Sequence, residues 1–386
     1  MPQKLVIKPE KAALIKRRHP WIFSGALFEI PKTIEDGEVC ELVDNKGDFL
    51  AIVMAFPRNS IAARVLSYEQ NFDVNTYIFE RLKLAKIEKK QLVPDSVSNA
   101  FRLINAEADG IPGLIIDIYD SLAVLQISLV GIDSYKQAIA DFLNSQLGCT
   151  AVIDRSQKIT SVLVGSIGKS KTIIVENGIR FAVDAAQGQK TGFFIDQREM
   201  RLLLREISKN KKILNAFCYS GGFSFNALKG GAKKVVSLDS SASACELLQE
   251  NLRLNEMSTL GNHELVNDDV YVYLKTVQEK FDIIVLDPPP YVKKSKDLNQ
   301  GLKHYLELNR LALKKLERGG ILLSFSCSPF TSDADFLKML MQAASFENRT
   351  LKIITQHRHA LDHGVLLSHP EGRYLKGYVV KEVLFA

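Results

Sequence analysis

The chain has 386 residues, of which 46% are hydrophobic and 24% are charged. This length predicts two to three domains, and the composition excludes a mainly disordered protein because it can fill ordinary hydrophobic cores. The formal net charge of +6 permits an anionic partner without requiring one.

The five cysteines are scattered along the chain, with no C-x-x-C pair and no zinc-like Cys/His spacing. We therefore predict no metal site and a reducing, cytoplasmic location. The first residues form a short alternating strand pattern rather than an apolar signal core. No run approaches the roughly 20 apolar residues of a membrane span. A soluble protein that does not act at a membrane is expected.

Short alternating runs in residues 1–70 predict a small β-rich module. A basic stretch, Lys16, Arg17 and Arg18, precedes the single tryptophan, Trp21. Cations beside an aromatic ring suit RNA, because the cations meet phosphates while the ring stacks on bases. The alternative is that Trp21 belongs to the core and the charges form a solvated face. Strands are expected at Lys4–Lys8, Val39–Val43, Phe49–Ala55 and Ile61–Leu66.

Residues 71–185 are predicted to form a middle α+β domain. Apolar spacing indicates one helix from Phe72 to about Lys90 and another from about Tyr135 to Leu147. The dipeptide Asn177-Gly178 is typical of a hairpin turn. Strands are expected at Ile115–Tyr119, Leu122–Ser128 and Ala151–Asp154.

Residues 186–386 alternate helices with apolar strands, which predicts a doubly wound, Rossmann-like α/β domain. The segment Lys212–Ser224 is predicted to be a strand that runs into a turn at Gly221 and Gly222 and then a helix, and glycines there let the backbone approach a ligand closely. Acidic residues end the following strands at Asp239, Asp269 and Asp287. An acid about 20 residues beyond the glycine turn can hydrogen-bond ribose hydroxyls. The set therefore predicts a nucleoside cofactor.

The glycine pattern also separates two kinds of cofactor. The dinucleotide fingerprint G-x-G-x-x-G is absent, and only one glycine pair stands in the turn. S-adenosylmethionine fits better than NAD because it has no pyrophosphate to cradle. The residues of this turn that we predict to contact the cofactor are Asn215, Phe217, Tyr219 and Gly221.

The strand Phe281–Leu286 ends in Asp287 and three consecutive prolines. Consecutive prolines cannot continue a sheet or a helix interior, so they stiffen a loop. Such a loop can present Asp287 to the polar edge of a flipped-out base, whereas a plain strand-ending turn does not explain the acid. The lysines that follow, Lys293 and Lys294, can meet phosphates or form an ordinary solvated face.

Cys327 follows the apolar run Gly320–Leu323, which predicts a second buried parallel strand beside the first. Its thiol could therefore face the same substrate as Asp287, although most such cysteines are small core residues. A thiolate is the group that cytosine C5 methylation requires, because it adds to C6 and activates C5. Packing roles are expected for Cys40, Cys149, Cys218 and Cys245.

Together these motifs resemble bacterial large-subunit ribosomal RNA cytosine-5 methyltransferases that carry an N-terminal PUA domain. The glycine turn, the Asp-Pro-Pro loop and the Ser-Cys-Ser strand end stand in the same order. Longer stretches that carry the resemblance are 52–67, 105–114, 187–198 and 369–377.

The resemblance implies an RNA-binding PUA domain and a class I S-adenosylmethionine-dependent domain with Cys327 as nucleophile and Asp287 beside it. It also implies that Asp239 binds ribose and Asp269 the adenine amino group. Ribosomal RNA, naked or in an assembling subunit, is the implied partner, and a homodimer is our default expectation. The segment placed over the cofactor supplies Lys190, Phe194, Asp196 and Arg198.

Three alternatives remain open from the sequence. Asp-Pro-Pro-Tyr-like loops also serve methyltransferases that act on exocyclic amines, which need no cysteine. The chain could instead be an RNA-binding assembly factor whose catalytic domain has lost its activity. A dehydrogenase is disfavoured by the glycine pattern.

Overall fold

The computed structural model describes residues 2–157, 159–257, 261–357 and 359–384. The described residues form two compact units. The first contains those up to Val175, with Val183–Ile195 and Leu361–Gly372. The second contains Glu176–Ala182, Asp196–Ala360 and the residues from Arg373 onward. The division into three domains, 1–70, 71–185 and 186–386, stays a prediction.

A five-stranded sheet forms the N-terminal part of the first unit, with the order β1-β3-β4-β5-β2. The predicted strands are present, and β3 and β4 have the expected bounds. Successive residues of β4 alternate between two cores, with Val53 and Ala55 in one and Ile52 and Met54 in the other. The strand β2 was not predicted, since it is only three residues long. The elements are β1 (Lys4–Val6), α1 (Ala12–Lys16), β2 (Trp21–Phe23), β3 (Val39–Val43), β4 (Phe49–Ala55) and β5 (Ile61–Ser67).

A second five-stranded sheet in the same unit has the order β10-β9-β8-β7-β6. Both predicted helices are present. The strand β6 was missed because it buries Arg102, which pairs with Asp117 through bonds of 2.8 and 2.9 Å and interrupts the apolar pattern. The elements are α2 (Val74–Leu92), β6 (Ala100–Asn105), β7 (Leu114–Tyr119), β8 (Leu122–Ile127), α3 (Val130–Asp133), α4 (Lys136–Leu147), β9 (Ala151–Asp154) and β10 (Ser161–Val164).

The predicted hairpin is also present, with strands β11 (Lys171–Glu176) and β12 (Ile179–Asp184). Its turn residues Asn177 and Gly178 have φ angles of 49° and 73°. Positive φ at both central positions matches the twist of a two-residue hairpin turn, which explains the Asn-Gly pair.

The second unit is built on a seven-stranded sheet of order β15-β14-β13-β16-β17-β19-β18. The first five are parallel, and β19 runs antiparallel to both β17 and β18. Strand order reverses at β13, so a crevice is expected at the carboxyl ends of β13 and β16. The strands are β13 (Lys212–Ala216), β14 (Lys234–Asp239), β15 (His263–Asn267), β16 (Phe281–Leu286), β17 (Leu316–Ser326), β18 (Leu351–Gln356) and β19 (Lys376–Glu382).

In the described part of this unit, six α-helices connect the strands and cover the sheet. The apolar faces of α8, α9 and α10 form one buried core with the central strands. The doubly wound architecture predicted for this part of the chain is therefore confirmed. Among the described residues, no helix is long and apolar enough to cross a membrane. The helices are α5 (Arg198–Ile207), α6 (Gly222–Lys229), α7 (Ala242–Leu254), α8 (Val270–Thr276), α9 (Leu298–Lys315) and α10 (Asp333–Phe346).

Candidate active site

The turn between β13 and α6 has a strained backbone. Phe217 and Tyr219 have φ angles of 60° and 46°, and Gly221 follows with a φ of 87°. A Cβ atom on Gly221 would lie 2.5 Å from the Phe225 ring, so this position requires glycine. Backbone strain of this kind persists where the surrounding structure holds it, often at ligand sites.

Two of the predicted acids lie at the carboxyl ends of neighbouring strands. Asp239 ends β14, and its carboxylate accepts hydrogen bonds from the backbone N–H groups of Tyr219 (2.9 Å) and Ser241 (3.0 Å). Asp269 follows β15 and caps α8 by accepting from Tyr271 N at 2.9 Å. Asp239 therefore joins the glycine turn to the next strand and is held in a fixed orientation.

A buried chain of polar side chains runs behind this turn. Asn215 Nδ2 donates to Ser224 Oγ at 2.8 Å, and Ser224 Oγ lies 2.6 Å from Ser237 Oγ. Ser237 Oγ lies 2.8 Å from His263 Nε2, and burial lowers the pKa of His263 to about 4. This row of hydrogen-bonded side chains therefore ends in a neutral imidazole. It links β13, β14 and β15 beneath the glycine turn.

These groups fit an S-adenosylmethionine molecule. Its two ribose hydroxyls and its adenine amino group are hydrogen-bond donors, and carboxylates such as Asp239 and Asp269 accept such bonds. The glycine turn offers close backbone approach but no second phosphate-binding glycine. The donor and acceptor set therefore suits a nucleoside with a sulfonium group better than a dinucleotide.

Asp287 follows β16 at the opening of the proline loop. Gln197 Nε2 donates to Asp287 Oδ2 at 3.0 Å, and Gln197 Oε1 lies 3.0 Å from His357 Nε2. Gln197 is buried, so its amide serves as a fixed bridge between the carboxylate and the imidazole. The orientation of Asp287 is therefore determined by side chains that the sequence did not point to.

Cys327 lies directly after β17, beside the proline loop. Its Sγ lies 3.9 Å from the carbonyl oxygen of Pro288. Val292 N donates to Ser328 Oγ at 3.1 Å and ties the two loops together. The thiol and the proline loop, which the sequence placed at one sheet edge, are thus adjacent.

A buried tyrosine clamps the cysteine loop. Ser326 Oγ donates to Tyr305 Oη at 2.9 Å, and Ser328 Oγ lies 2.9 Å from the same hydroxyl. The Tyr291 ring of the proline loop packs against Tyr305 with 4.7 Å between ring centroids. Tyr305 therefore contacts residues on both sides of Cys327 and the loop that faces it.

The remaining predicted cofactor contacts are divided between the units. Asp196 accepts a short hydrogen bond from the Tyr374 hydroxyl, and Arg198 Nε lies 3.6 Å from a carboxylate oxygen of Glu176. Lys190 and Phe194 belong to the first unit, where Lys190 Nζ lies 4.4 Å from the Phe194 ring centroid. Contact of these four residues with the cofactor stays a prediction.

The predicted RNA contacts are all exposed, but they belong to different units. Lys16, Arg17 and Arg18 follow or end α1, and the guanidinium carbon of Arg18 lies 3.9 Å from the Tyr68 ring centroid. Lys293 and Lys294 lie in the second unit, after the proline loop. Exposure makes these cations available to phosphates, and their contact with RNA stays a prediction.

The other four cysteines are buried, as a packing role requires. Burial raises the pKa of Cys40 to about 12 and that of Cys149 to about 11, so these thiols are poor nucleophiles. Within the part of the chain that the structure describes, no group of three or more His, Cys, Asp or Glu side chains could hold a metal ion.

Three residues with a place in this site were missed by sequence reasoning, namely Gln197, Tyr305 and Lys376, whose Nζ donates to the carbonyl oxygen of Ser328 at 2.8 Å. Tyr305 reads as an ordinary apolar position of α9, and Gln197 and Lys376 stand in stretches where nothing marks one residue over its neighbours. The only hint in the sequence was that Gln197 and Lys376 belong to the stretches 187–198 and 369–377, which carry the family resemblance.

The strand order, the glycine turn and the acids at the strand ends define an S-adenosylmethionine-dependent methyltransferase. Residues 153–359, more than half of the chain, match the S-adenosylmethionine-dependent methyltransferase family, and residues 5–68 match a PUA-like domain. A Streptococcus mutans protein assigned as such a methyltransferase has the same fold, with a TM-score of 0.86 at 23% identity over 98% of this chain and 100% of that one.

The chain belongs to this family, in the group that joins a PUA-like domain to the methyltransferase domain. Ribosomal RNA large subunit methyltransferase I of Shigella dysenteriae is 36% identical over 398 residues, with 100% of both chains covered. The protein of that name from Escherichia coli is 36% identical over 395 residues, or 99% of this chain and 100% of the relative. The predicted cofactor, S-adenosylmethionine, is confirmed by the family.

Proposed function

We propose that this protein methylates C5 of cytosine in large-subunit ribosomal RNA, with Cys327 as a covalent nucleophile. The substrate class is supported by relatives that match the full length of the chain and are named as ribosomal RNA large subunit methyltransferases. The choice of C5 is carried by one observation. The thiol of Cys327 lies at the carboxyl end of β17, against the proline loop that opens with Asp287.

The chemistry explains why a thiol is needed there. Cytosine C5 is a poor nucleophile, and attack by the Cys327 thiolate on C6 transfers electron density to C5. When bound, S-adenosylmethionine would supply an electrophilic methyl group to C5, and its sulfonium sulfur would keep the electron pair of the S–CH3 bond that breaks. A base removes the proton from C5, the S–C6 electron pair returns to sulfur, and the thiolate leaves.

The second requirement is that the target cytosine be held in a fixed position, and the proline loop can meet it. A base inside a duplex is out of reach, so the target must be unpaired or flipped out and held by its polar edge. Asp287 carries a carboxylate that can accept from the cytosine amino group, and Gln197 holds that carboxylate in place. The exposed Lys293 and Lys294 follow the loop and are suited to the flanking phosphates.

Methylation of an exocyclic amine is the second candidate, because it uses the same cofactor and a similar loop. That reaction needs no thiol, whereas here Ser326 and Ser328 both anchor the cysteine loop to Tyr305. A binding-only assembly factor is less well supported, since the acids, the strained glycine turn and the thiol are all in place.

Nucleoside mass spectrometry of large-subunit ribosomal RNA incubated with the protein and S-adenosylmethionine distinguishes these functions. We expect 5-methylcytidine with the wild-type protein and no product with Cys327→Ala. N4-methylcytidine would point to the amine reaction, and S-adenosylmethionine binding without any product would point to the assembly factor. Bisulfite mapping of ribosomal RNA from cells that lack the protein then locates the nucleotide.

A further inference from the structure

Lys376 is a buried cation next to the cysteine loop. It is the first residue of β19 and lies directly opposite Ser326, the residue before Cys327, in the β17–β19 pairing. Its Nζ donates to the carbonyl oxygen of Ser328, the residue after Cys327, at 2.8 Å and to that of Tyr374 at 3.0 Å. Lys376 therefore pairs with the residue before Cys327 and donates a hydrogen bond to the residue after it.

Among the residues that the structure describes, no anion contacts this ammonium. Lys376 is only 5% exposed, and among the described residues no carboxylate lies within ion-pair distance of its Nζ. Asp333, a nearby acid, forms its ion pair with Arg373 at 3.3 Å. Two backbone carbonyls compensate only part of the cost of burying a full positive charge. A buried lysine in this state therefore needs a reason.

The charged groups around Lys376 suggest why a lysine is buried here. Burial lowers the pKa of the Lys376 ammonium, and the charge of Arg373 acts in the same direction. The Asp333 carboxylate and the Cys327 thiolate act in the opposite direction. Interaction between two charges is mutual, so a thiolate that favours the ammonium is itself favoured by it.

We propose that Lys376 is a positioning residue for Cys327, whose ammonium stabilises the thiolate and whose bond to the Ser328 carbonyl fixes the cysteine loop. A neighbouring lysine is one of the known means of lowering a thiol pKa in proteins. The part played by the thiolate in methyl transfer rests on the proposed function, whereas its stabilisation by Lys376 does not.

Lys376 need not gain or lose a proton during the reaction. When the S–C6 bond forms, sulfur contributes an electron pair and its negative charge disappears. When that bond breaks, the electron pair returns to sulfur and the ammonium again faces an anion. The residue therefore favours both the starting thiolate and the leaving thiolate, and the C5 proton goes to another base.

The pH dependence of Cys327 alkylation by iodoacetamide, followed by peptide mass spectrometry, measures the thiolate directly. The four other cysteines are buried and provide internal references. Other titratable or charged groups on the neighbouring elements can also shift the pH profile of alkylation. They include Asp287, Tyr305, Asp333, His357 and Arg373. Lys376→Met removes the charge, Lys376→Arg keeps it, and Lys381→Met changes an exposed lysine of the same strand.

We expect the alkylation midpoint of Lys376→Met to rise by about one pH unit, which is a tenfold lower thiolate fraction below the midpoint. Lys376→Arg and Lys381→Met should keep the wild-type midpoint. A purely structural role would alter the alkylation rate of Lys376→Met without moving its midpoint, and that result would overturn the proposal.

Should Lys376→Met fail to fold, the reciprocal measurement decides. The pKa of Lys376, followed by NMR of side-chain-labelled lysine, should be lower in Cys327→Ala than in the wild type, and an equal pKa contradicts the proposal. A shifted alkylation midpoint combined with N4-methylcytidine as product would overturn the proposed function and leave the thiolate–ammonium interaction standing.

Discussion

The hydroxyl of Ser326 donates to the buried hydroxyl of Tyr305 across 2.9 Å, one residue before the candidate nucleophile. Ser328, one residue after it, lies at the same distance from the same hydroxyl. A single side chain of α9 therefore contacts the serine side chains on both sides of Cys327. This contact explains why a serine stands on each side of the cysteine. The sequence alone could not indicate it.

Tyr305→Phe removes this anchor while keeping the ring. We expect methyl transfer to fall by about tenfold to a hundredfold, because a small displacement of a reacting group has a large effect on rate. The free energy of unfolding should fall by about 1 kcal/mol for the lost hydrogen bonds. Initial rates and thermal unfolding measure the two effects. Tyr273→Phe, a change on α8 away from the cysteine loop, is the matched control, and equal rates in both variants would contradict the clamp.

Gln197→Leu tests the bridge between Asp287 and His357. Leucine has a similar volume but no amide, so the Asp287 carboxylate loses the donor that lies 3.0 Å away. We expect kcat to fall by about tenfold while the affinity for S-adenosylmethionine changes little, because the amide orients the substrate-side carboxylate. Steady-state kinetics together with calorimetric titration separates these quantities. An unchanged kcat would show that the bridge is dispensable.

Asp239→Ala should weaken S-adenosylmethionine binding by at least tenfold. The change removes the predicted ribose acceptor and also releases Tyr219 N, which the carboxylate fixes at 2.9 Å. Asp282→Ala is a suitable control. Asp282 also accepts a backbone hydrogen bond, from Lys212 N at 2.8 Å, but at the amino end of β13 rather than at the carboxyl end of the sheet. Calorimetric titration gives both dissociation constants. Equal weakening in the two variants would point to general destabilisation.

The buried chain that ends at His263 predicts a pH dependence of stability. The pKa of this imidazole is about 4 in the folded protein against 6.5 for an exposed histidine, because burial disfavours its charged form. The unfolded state therefore binds more protons between these values, and stability is lost as the pH falls through this window. His263→Gln should lose less stability than the wild type between pH 6.5 and pH 4 in denaturant titrations. Parallel curves for the two proteins would refute this assignment.

Much of the fold was predictable because local patterns and the final structure agree. The strands β3, β4 and β9 have the predicted bounds, and the Asn177-Gly178 turn adopts the positive φ angles that its residues favour. The strands β18 and β19 were not predicted. Leu351–Gln356 is mostly exposed at the edge of the sheet, so it lacks the continuous apolar run of the central strands.

The site was predictable to the extent that it lies at strand ends. Asp239, Asp287 and Cys327 each follow an apolar run, and parallel strands bring such ends to one edge of a sheet. Tyr305 and Lys376 could not be found in this way. Their hydrogen bonds to Ser326 and Ser328 form only when α9 and β19 pack against β17. Contacts between distant elements leave no local pattern in the sequence.

The covalent role of Cys327 is tested most directly by RNA that carries 5-fluorocytidine at the target position. Fluorine cannot leave C5 as a proton does, so the S–C6 bond should persist once the methyl group has been transferred. We expect a stable protein–RNA complex in the presence of S-adenosylmethionine, with the RNA attached to the peptide that contains Cys327, and none with Cys327→Ala. Methylation of the natural RNA by wild-type protein, without any such complex on the fluorinated RNA, would contradict the account.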